Sequence, residues 1–421
     1  MESKKHILKR LTPKLPETKK ANVVLFVIIF AVAGMVISFA RAATNTGVGL
    51  SPQSGAITGN ASLVTNNSAI GGKAVKFGSG AATSTKSGAT GGSTSSSSLG
   101  RFGMALGGGY QSFTTAQLNS DFADMEAMGV QWVRFDIAWS DVQSGGSSSY
   151  NWAPYDAVVK AATQHNLKVL GILDYAPTWA QQASCAGQFA CPPNGTSTFA
   201  TYVAAAATHY GPLGVSAWEI WNEPNISTFW LKPSPSAYTV LLKAAYTAIK
   251  KVQPSATVIS AGVAPAATDG TNYTQYDFIQ GMYAAGAHGY FDALGDHPYC
   301  YSDPQCPVTT NNGGSWALMA LAPQSLRTLM VANGDSNKKI WMTEFGAPTG
   351  GTPHVTEAQQ AQMMQQAYTL AASYSWAGPL FWYTYQDSGT DQSTVEDWFG
   401  VLRADGSQKP SYTTYRQLTG K

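Results

Sequence analysis

Eight short apolar runs, separated by longer stretches that include helix-like ones, fill residues 101–421 and most constrain what this chain can fold into. The runs are RFGMALG (101–107), VQWVRFDI (130–137), LKVLGILDY (167–175), VSAWEIWNE (215–223), ATVISAG (256–262), FDALGDHPY (291–299), KKIWMTEFG (338–346) and PLFWYTYQ (379–386). Nearly continuous apolar runs of this length suit strands of a parallel sheet whose outside is covered by helices. The intervening TTAQLNSDFADMEAMG (114–129) sets Leu118, Phe122, Met125 and Met128 on one helical face, and SAYTVLLKAAYTAIKKV (236–252) reads as a second helix. Eight strands separated by helices predict an α/β fold, a (β/α)8 TIM barrel. A doubly wound open sheet is the alternative, but Gly107, Gly108 and Gly109 after the first run lack the G-x-G-x-x-G spacing of a nucleotide loop.

The N-terminal quarter has a different texture. Residues 21–40 (ANVVLFVIIFAVAGMVISFA) carry no charge and, as a helix of roughly 30 Å, could cross a bilayer. The basic segment before them predicts that whatever follows is exported. Ala40-Arg41-Ala42 has the small-x-small form of a cleavage site, so residues 1–42 are read as a signal peptide or an uncleaved single membrane anchor. The expected location is outside the cell or at its surface. Residues 81–100 are a Ser/Gly/Thr linker that cannot build a core. Residues 43–80, a Gly- and Asn-rich stalk ending in GGKAVKFGSG, resemble the opening strands of a jelly-roll carbohydrate-binding module over about 35 residues, and are read as a remnant of one or as an extended stalk. The net charge of +2 is local to the leader. Residues 43–421 retain 18 of the 26 basic and 22 of the 24 acidic residues, a net of −4, which argues against nucleic acid as a partner. Four cysteines fall as Cys185/Cys191 and Cys300/Cys306, and local pairing into two small disulfide loops is expected of an exported chain; a zinc site would use closer spacing.

In a barrel of this kind the chemistry stands at the C-terminal ends of the strands. The fourth run ends in WEIWNEPN and the seventh in WMTEFG, so Glu223 and Glu344 should face one pocket. Glycoside hydrolysis needs such a pair: one carboxylic acid protonates the leaving oxygen, and the other attacks the anomeric carbon or activates water. Glu219 reads as a buried partner of Arg134. Asp136, Asp174 and Asp296, also near strand ends, read as structural hydrogen-bonding groups. Trp139, Trp179, Trp230 and Trp398 follow strands and are equally suited to stacking on sugar rings or to packing loops.

W-N-E-P at strand four and T-E-F-G at strand seven, 121 residues apart, resemble the signature of glycoside hydrolase clan A, nearest to families 39 and 5. The resemblance covers about 101–421 and implies a retaining glycosidase. It makes Glu223 the acid/base and Glu344 the nucleophile. It implies that Asn222 binds the sugar 2-hydroxyl, that His297 and Tyr299 reach the nucleophile or the reacting sugar, and that Arg134 keeps the nucleophile ionised. Trp382 is expected as the hydrophobic floor of the reacting subsite, and Trp179 as a further substrate contact. Two carboxyls suffice for this chemistry, so no cofactor and no metal is expected. The expected partner is a polysaccharide or oligosaccharide, with the membrane as a second partner if residues 21–40 stay attached. A transglycosidase would use the same residues, and a non-catalytic carbohydrate-binding barrel or a cell-wall structural protein are the readings from other classes.

Overall fold

The computed structural model describes residues 61–65, 73–77, 101–301, 303, 306 and 315–421. It divides into two units, Met1–Ser96 and Ser97–Lys421. In the first, Ala61–Thr65 pairs antiparallel with Lys73–Phe77, setting Ala61 opposite Phe77. Residues 1–60, with the 21–40 segment, lie outside the described residues, as does the 81–100 linker. No helix among the described residues is long and apolar enough to cross a membrane.

The second unit is a closed barrel of eight parallel strands: β1 (Phe102–Ala105), β2 (Trp132–Ala138), β3 (Lys168–Asp174), β4 (Ala217–Ile220), β5 (Thr257–Ser260), β6 (Ala293–Asp296), β7 (Lys339–Phe345) and β8 (Ala377–Tyr383), with β8 closing on β1. All eight predicted strands are present. The first predicted helix runs Thr115–Met128 and buries Leu118, Phe122, Met125 and Met128, the four residues its spacing placed on one face. Its start is fixed by a capping box between Thr114 and Gln117, which satisfies backbone N–H groups the helix cannot. The second runs Pro235–Val252.

Two apolar zones follow from strand alternation. Trp132, Leu170, Ala217, Ile259, Ala293, Trp341 and Phe381 cluster with Ala105 inside the barrel, apart from the larger core between strands and helices. Trp132 points inward, and so, two and four residues on, do Arg134 and Asp136. The lower barrel is thus plugged by large side chains, and the polar residues of the next layers stand at the C-terminal mouth.

One boundary differs from the sequence expectation. The fourth run was expected to be extended as far as Glu223, but β4 stops at Ile220. Trp221 and Glu223 have positive φ, 71° and 43°, so the backbone turns out of the sheet and carries Glu223 over the mouth. Both cysteine pairs join locally, Cys185 to Cys191 and Cys300 to Cys306.

Candidate active site

The site is organised by one guanidinium. Arg134, on β2 and 3% exposed, donates from Nε to Glu219 Oε2 at 2.6 Å, from Nη1 to Glu344 Oε1 at 2.5 Å and from Nη2 to Asn222 Oδ1 at 2.9 Å. Its planar fork can serve three acceptors in fixed directions, which a lysine cannot. Glu219 is wholly buried and accepts further bonds from the Gly262 backbone N–H (2.8 Å) and the Thr343 hydroxyl (2.9 Å). It is the structural partner of Arg134 that the sequence suggested. Glu344, on β7, also accepts from the Tyr299 hydroxyl at 2.8 Å.

His297 lies just past β6, with its Nδ1 2.7 Å from Glu223 Oε1 and 3.8 Å from Glu344 Oε2. Its Nε2 is 3.1 Å from the Thr343 hydroxyl, which already donates to Glu219 and so accepts from His297. The Nε2 proton is therefore assigned by the network, and Nδ1 faces Glu223; burial lowers the imidazole, but the Glu344 and Glu223 carboxyls outweigh it and raise it above its ordinary value. Gly262 makes room for this arrangement. A Cβ there would stand 2.1 Å from His297 Nε2 and 2.6 Å from the Thr343 hydroxyl.

The two glutamates are close. One donor atom each from Glu223, His297 and Glu344 lies within 4.8 Å of the others. Such a trio could in principle hold a cation, but Arg134 and Tyr299 already engage both oxygens of Glu344, and His297 engages Glu223. The hydrogen bonds account for the cluster.

The surroundings push the pair apart. Burial raises the Glu223 carboxyl, aided by the Glu344 charge and only partly offset by His297. Burial also acts to raise Glu344, but His297, Arg134 and the Tyr299 hydroxyl together outweigh it and bring that carboxyl below its ordinary value. Glu223 is thus the better proton donor and Glu344 the better anion, the division a double displacement needs.

Further acids surround the mouth. Asp174 is wholly buried and no protein group donates to either of its oxygens. Burial and the neighbouring Asp136 raise it, and burial raises Asp136 too, against the pull of Arg134. Asp296 accepts from Gln275 Nε2 at 2.7 Å and is pushed up to about 7 by burial, a structural role. Glu396, on the turn Val395–Trp398 after β8, was not foreseen. The residue is exposed at the surface, and desolvation together with the charges of Glu344 and Glu223 raises its carboxyl above its ordinary value.

The aromatic expectations need one correction. Trp382 is 0% exposed and belongs to the core between barrel and helices, with Phe345 5.9 Å away. It therefore faces away from the pocket and cannot be its floor. The next residue, Tyr383, packs on the barrel-interior cluster, lies 6.5 Å from the Tyr299 ring and is subject to the charges of Glu344 and Glu223. Tyr383 takes the place expected of Trp382. Tyr301, 40% exposed, stacks on Tyr299 at 5.4 Å. Trp139 and Trp230 are buried packing anchors. Trp179 is half-buried, edge-on to Trp139 at 5.6 Å, with its N–H donated to the Gln143 carbonyl. Trp398 is half-buried and donates to the Asp391 carbonyl.

A parallel barrel with a carboxyl raised by burial beside one lowered by its partners at its mouth is the framework of a glycoside hydrolase. The family model for cellulase (glycosyl hydrolase family 5) matches residues 89–386, and the chain belongs to that family. That family is one of the retaining families of clan A. Several solved structures share the fold. A family 39 glycoside hydrolase from the gut symbiont Bacteroides cellulosilyticus WH2 aligns with 24% identity and a TM-score of 0.60 over 76% of this chain and 64% of that one. A monomeric beta-xylosidase from Caulobacter crescentus CB15 aligns with 19% identity and a TM-score of 0.54 over 75% of this chain and 67% of that one. The exo-beta-1,4-mannosidase Op5Man5 from Opitutaceae bacterium strain TAV5 aligns with 15% identity and a TM-score of 0.52 over 77% and 61%. The chain thus spans somewhat under two thirds of the first and last of these. A comparison with curated proteins finds no match.

Proposed function

We propose that this chain is an exported β-glycosidase that cleaves a polysaccharide or oligosaccharide by double displacement, with Glu344 as nucleophile and Glu223 as acid/base. The observation that carries the reading is the pairing of a raised carboxyl with a lowered one within 4.8 Å. Oxygens this close favour the roughly 5–5.5 Å carboxyl spacing of retaining enzymes over the roughly 6.5–9.5 Å that leaves room for water in inverting ones. In the first step Glu344 attacks the anomeric carbon while Glu223 gives its proton to the leaving oxygen. In the second, Glu223 takes a proton from water as that water displaces Glu344. Arg134 and Tyr299 hold Glu344 ionised and aimed, and His297 holds Glu223. Asn222, which accepts from Arg134, binds the 2-hydroxyl of the reacting sugar in this reading, and Tyr383 offers that sugar an aromatic wall.

Export rests on the apolar 21–40 segment and the basic residues before it. The domain plan proposed is a leader or anchor over 1–42, a stalk over 43–80, a linker over 81–100 and the barrel over 101–421. A panel of polysaccharides and aryl β-glycosides, followed by proton NMR, tests the activity. The expected first product is the β-anomer; an α-anomer as first product would refute double displacement.

A further inference from the structure

The disulfide loop after β3 holds an aromatic ring in solvent. Phe189 is 60% exposed, which is unusual for a phenylalanine held in fixed contact with other rings. Its ring centroid lies 4.2 Å from that of Tyr175 and 6.4 Å from that of Phe229. The loop is built to keep it there. Cys185 and Cys191 close it, and Gln181, 7% exposed, braces it from below. The Gln181 amide donates to the Ala176 and Gln188 carbonyls and accepts from the Gly187 N–H. The Ala190 carbonyl accepts from the Leu231 N–H, which ties the loop to the segment after β4. So many constraints on a seven-residue loop keep the ring from folding back over neighbouring apolar surface.

The position of the ring carries the inference. Tyr175, on which Phe189 lies, follows the last residue of β3 with a positive φ of 49°, and its ring sits 5.9 Å from that of Trp221, two residues before Glu223. The charges felt by its hydroxyl are those of Asp174, Asp136, Glu223 and Arg134. Phe189 thus belongs to the loops that follow β3 and β4, the second of which carries Glu223. The group beside the proton donor is the one that leaves, so a ring there meets the sugar on the leaving side of the scissile bond. The apolar face of a pyranose stacks on such a ring, and a flat exposed aromatic asks nothing more of its ligand.

We propose that Phe189, presented by the Cys185–Cys191 loop, is the stacking platform for the leaving-side sugar, and that the substrate is accordingly a chain extending beyond the cleaved bond. The proposal rests on the assignment of Glu223 as the acid. It separates two substrates sharing one reacting sugar: an oligosaccharide, whose leaving sugar reaches the platform, and the β-glycosyl fluoride, whose leaving group does not. Phe189→Ala should lower kcat/KM for the oligosaccharide by about 10-fold or more, chiefly through KM, and leave the fluoride within about twofold. Phe189→Trp should retain oligosaccharide turnover. Cys185→Ser with Cys191→Ser should shift the oligosaccharide alone, in the direction of Phe189→Ala. Equal losses on both substrates, or unchanged oligosaccharide turnover in Phe189→Ala, would overturn the platform. Failure of the wild type to turn over either substrate would instead sink the enzymatic reading beneath it, and the platform with it.

Discussion

Replacing Arg134 with Met removes one of the two charges that hold Glu344 ionised, and its consequence can be sized from the geometry. The guanidinium lies 2.5 Å from one Glu344 oxygen. Two unit charges about 3 Å apart interact by roughly 5 kcal/mol at an effective dielectric constant near 20. Water and the remaining partners recover part of this, so the observable shift is smaller. A carboxylate beside arginine is typically lowered by about 1–3 pH units, equivalent to about 1.4–4 kcal/mol. His297 and Tyr299 remain in the variant, which favours the lower half of that range. The nucleophile must be ionised to attack. Raising its value therefore moves the acidic limb of kcat/KM to higher pH, by about 1–2 units. In the wild type the same lowering contributes stability above the unfolded carboxyl's value that is lost as pH falls through the folded one. The variant also strands Glu219, 0% exposed, with only Thr343 and Gly262 as donors, and should lose about 3–5 kcal/mol of stability. Arg134→Lys restores charge without the fork, and should recover part of the pH shift but not the Asn222 contact. The assay is the pH dependence of kcat/KM on an activated aryl glycoside, with thermal melts to confirm folding. An unmoved acidic limb in folded Arg134→Met would refute the electrostatic account of Glu344.

Two other outcomes follow from the same network, and a third from the apolar 21–40 segment. Glu223→Gln should slow glycosides with poor leaving groups by about 10²–10⁴-fold, and should abolish the alkaline limb for good leaving groups, measured by kcat/KM profiles; a persisting limb would name another acid. Gly262→Ala drives a methyl into His297 and Thr343, and should cost about 1–3 kcal/mol in a denaturant melt while disturbing the Glu223 limb; a variant with wild-type profile and stability would contradict the packing. Protease added to intact cells should digest residues 101–421 if the 21–40 segment anchors the chain with the barrel outside, and protection until lysis would overturn that topology.

The barrel was legible because its strands are apolar runs that helical spacing interrupts, and closure then places strand ends together without any contact being known. Arg134 with Glu219 was legible for a related reason: a charge inside an apolar strand needs a buried partner. Two features were not. The bend that lifts Glu223 off β4 uses positive φ at Trp221 and Glu223, and no glycine marks it. In FWYTY (381–385) every position is aromatic or Thr, so alternation has no phase to read and Trp382 could not be told from Tyr383. Register against β1, with Trp382 opposite Met104 and Tyr383 opposite Ala105, supplies the phase. Phe189 offered one unused signal, an aromatic residue inside a six-residue cysteine spacing.

The central claim is the division of labour between two glutamates, and covalent trapping tests it most directly. A 2-deoxy-2-fluoro glycoside of the reacting sugar, carrying a good leaving group, should form its intermediate faster than it breaks down. Peptide mass spectrometry of the inactivated protein should then find one added sugar on Glu344, and Glu344→Gln should take up none. A sugar found on Glu223 or on any other residue would contradict the account.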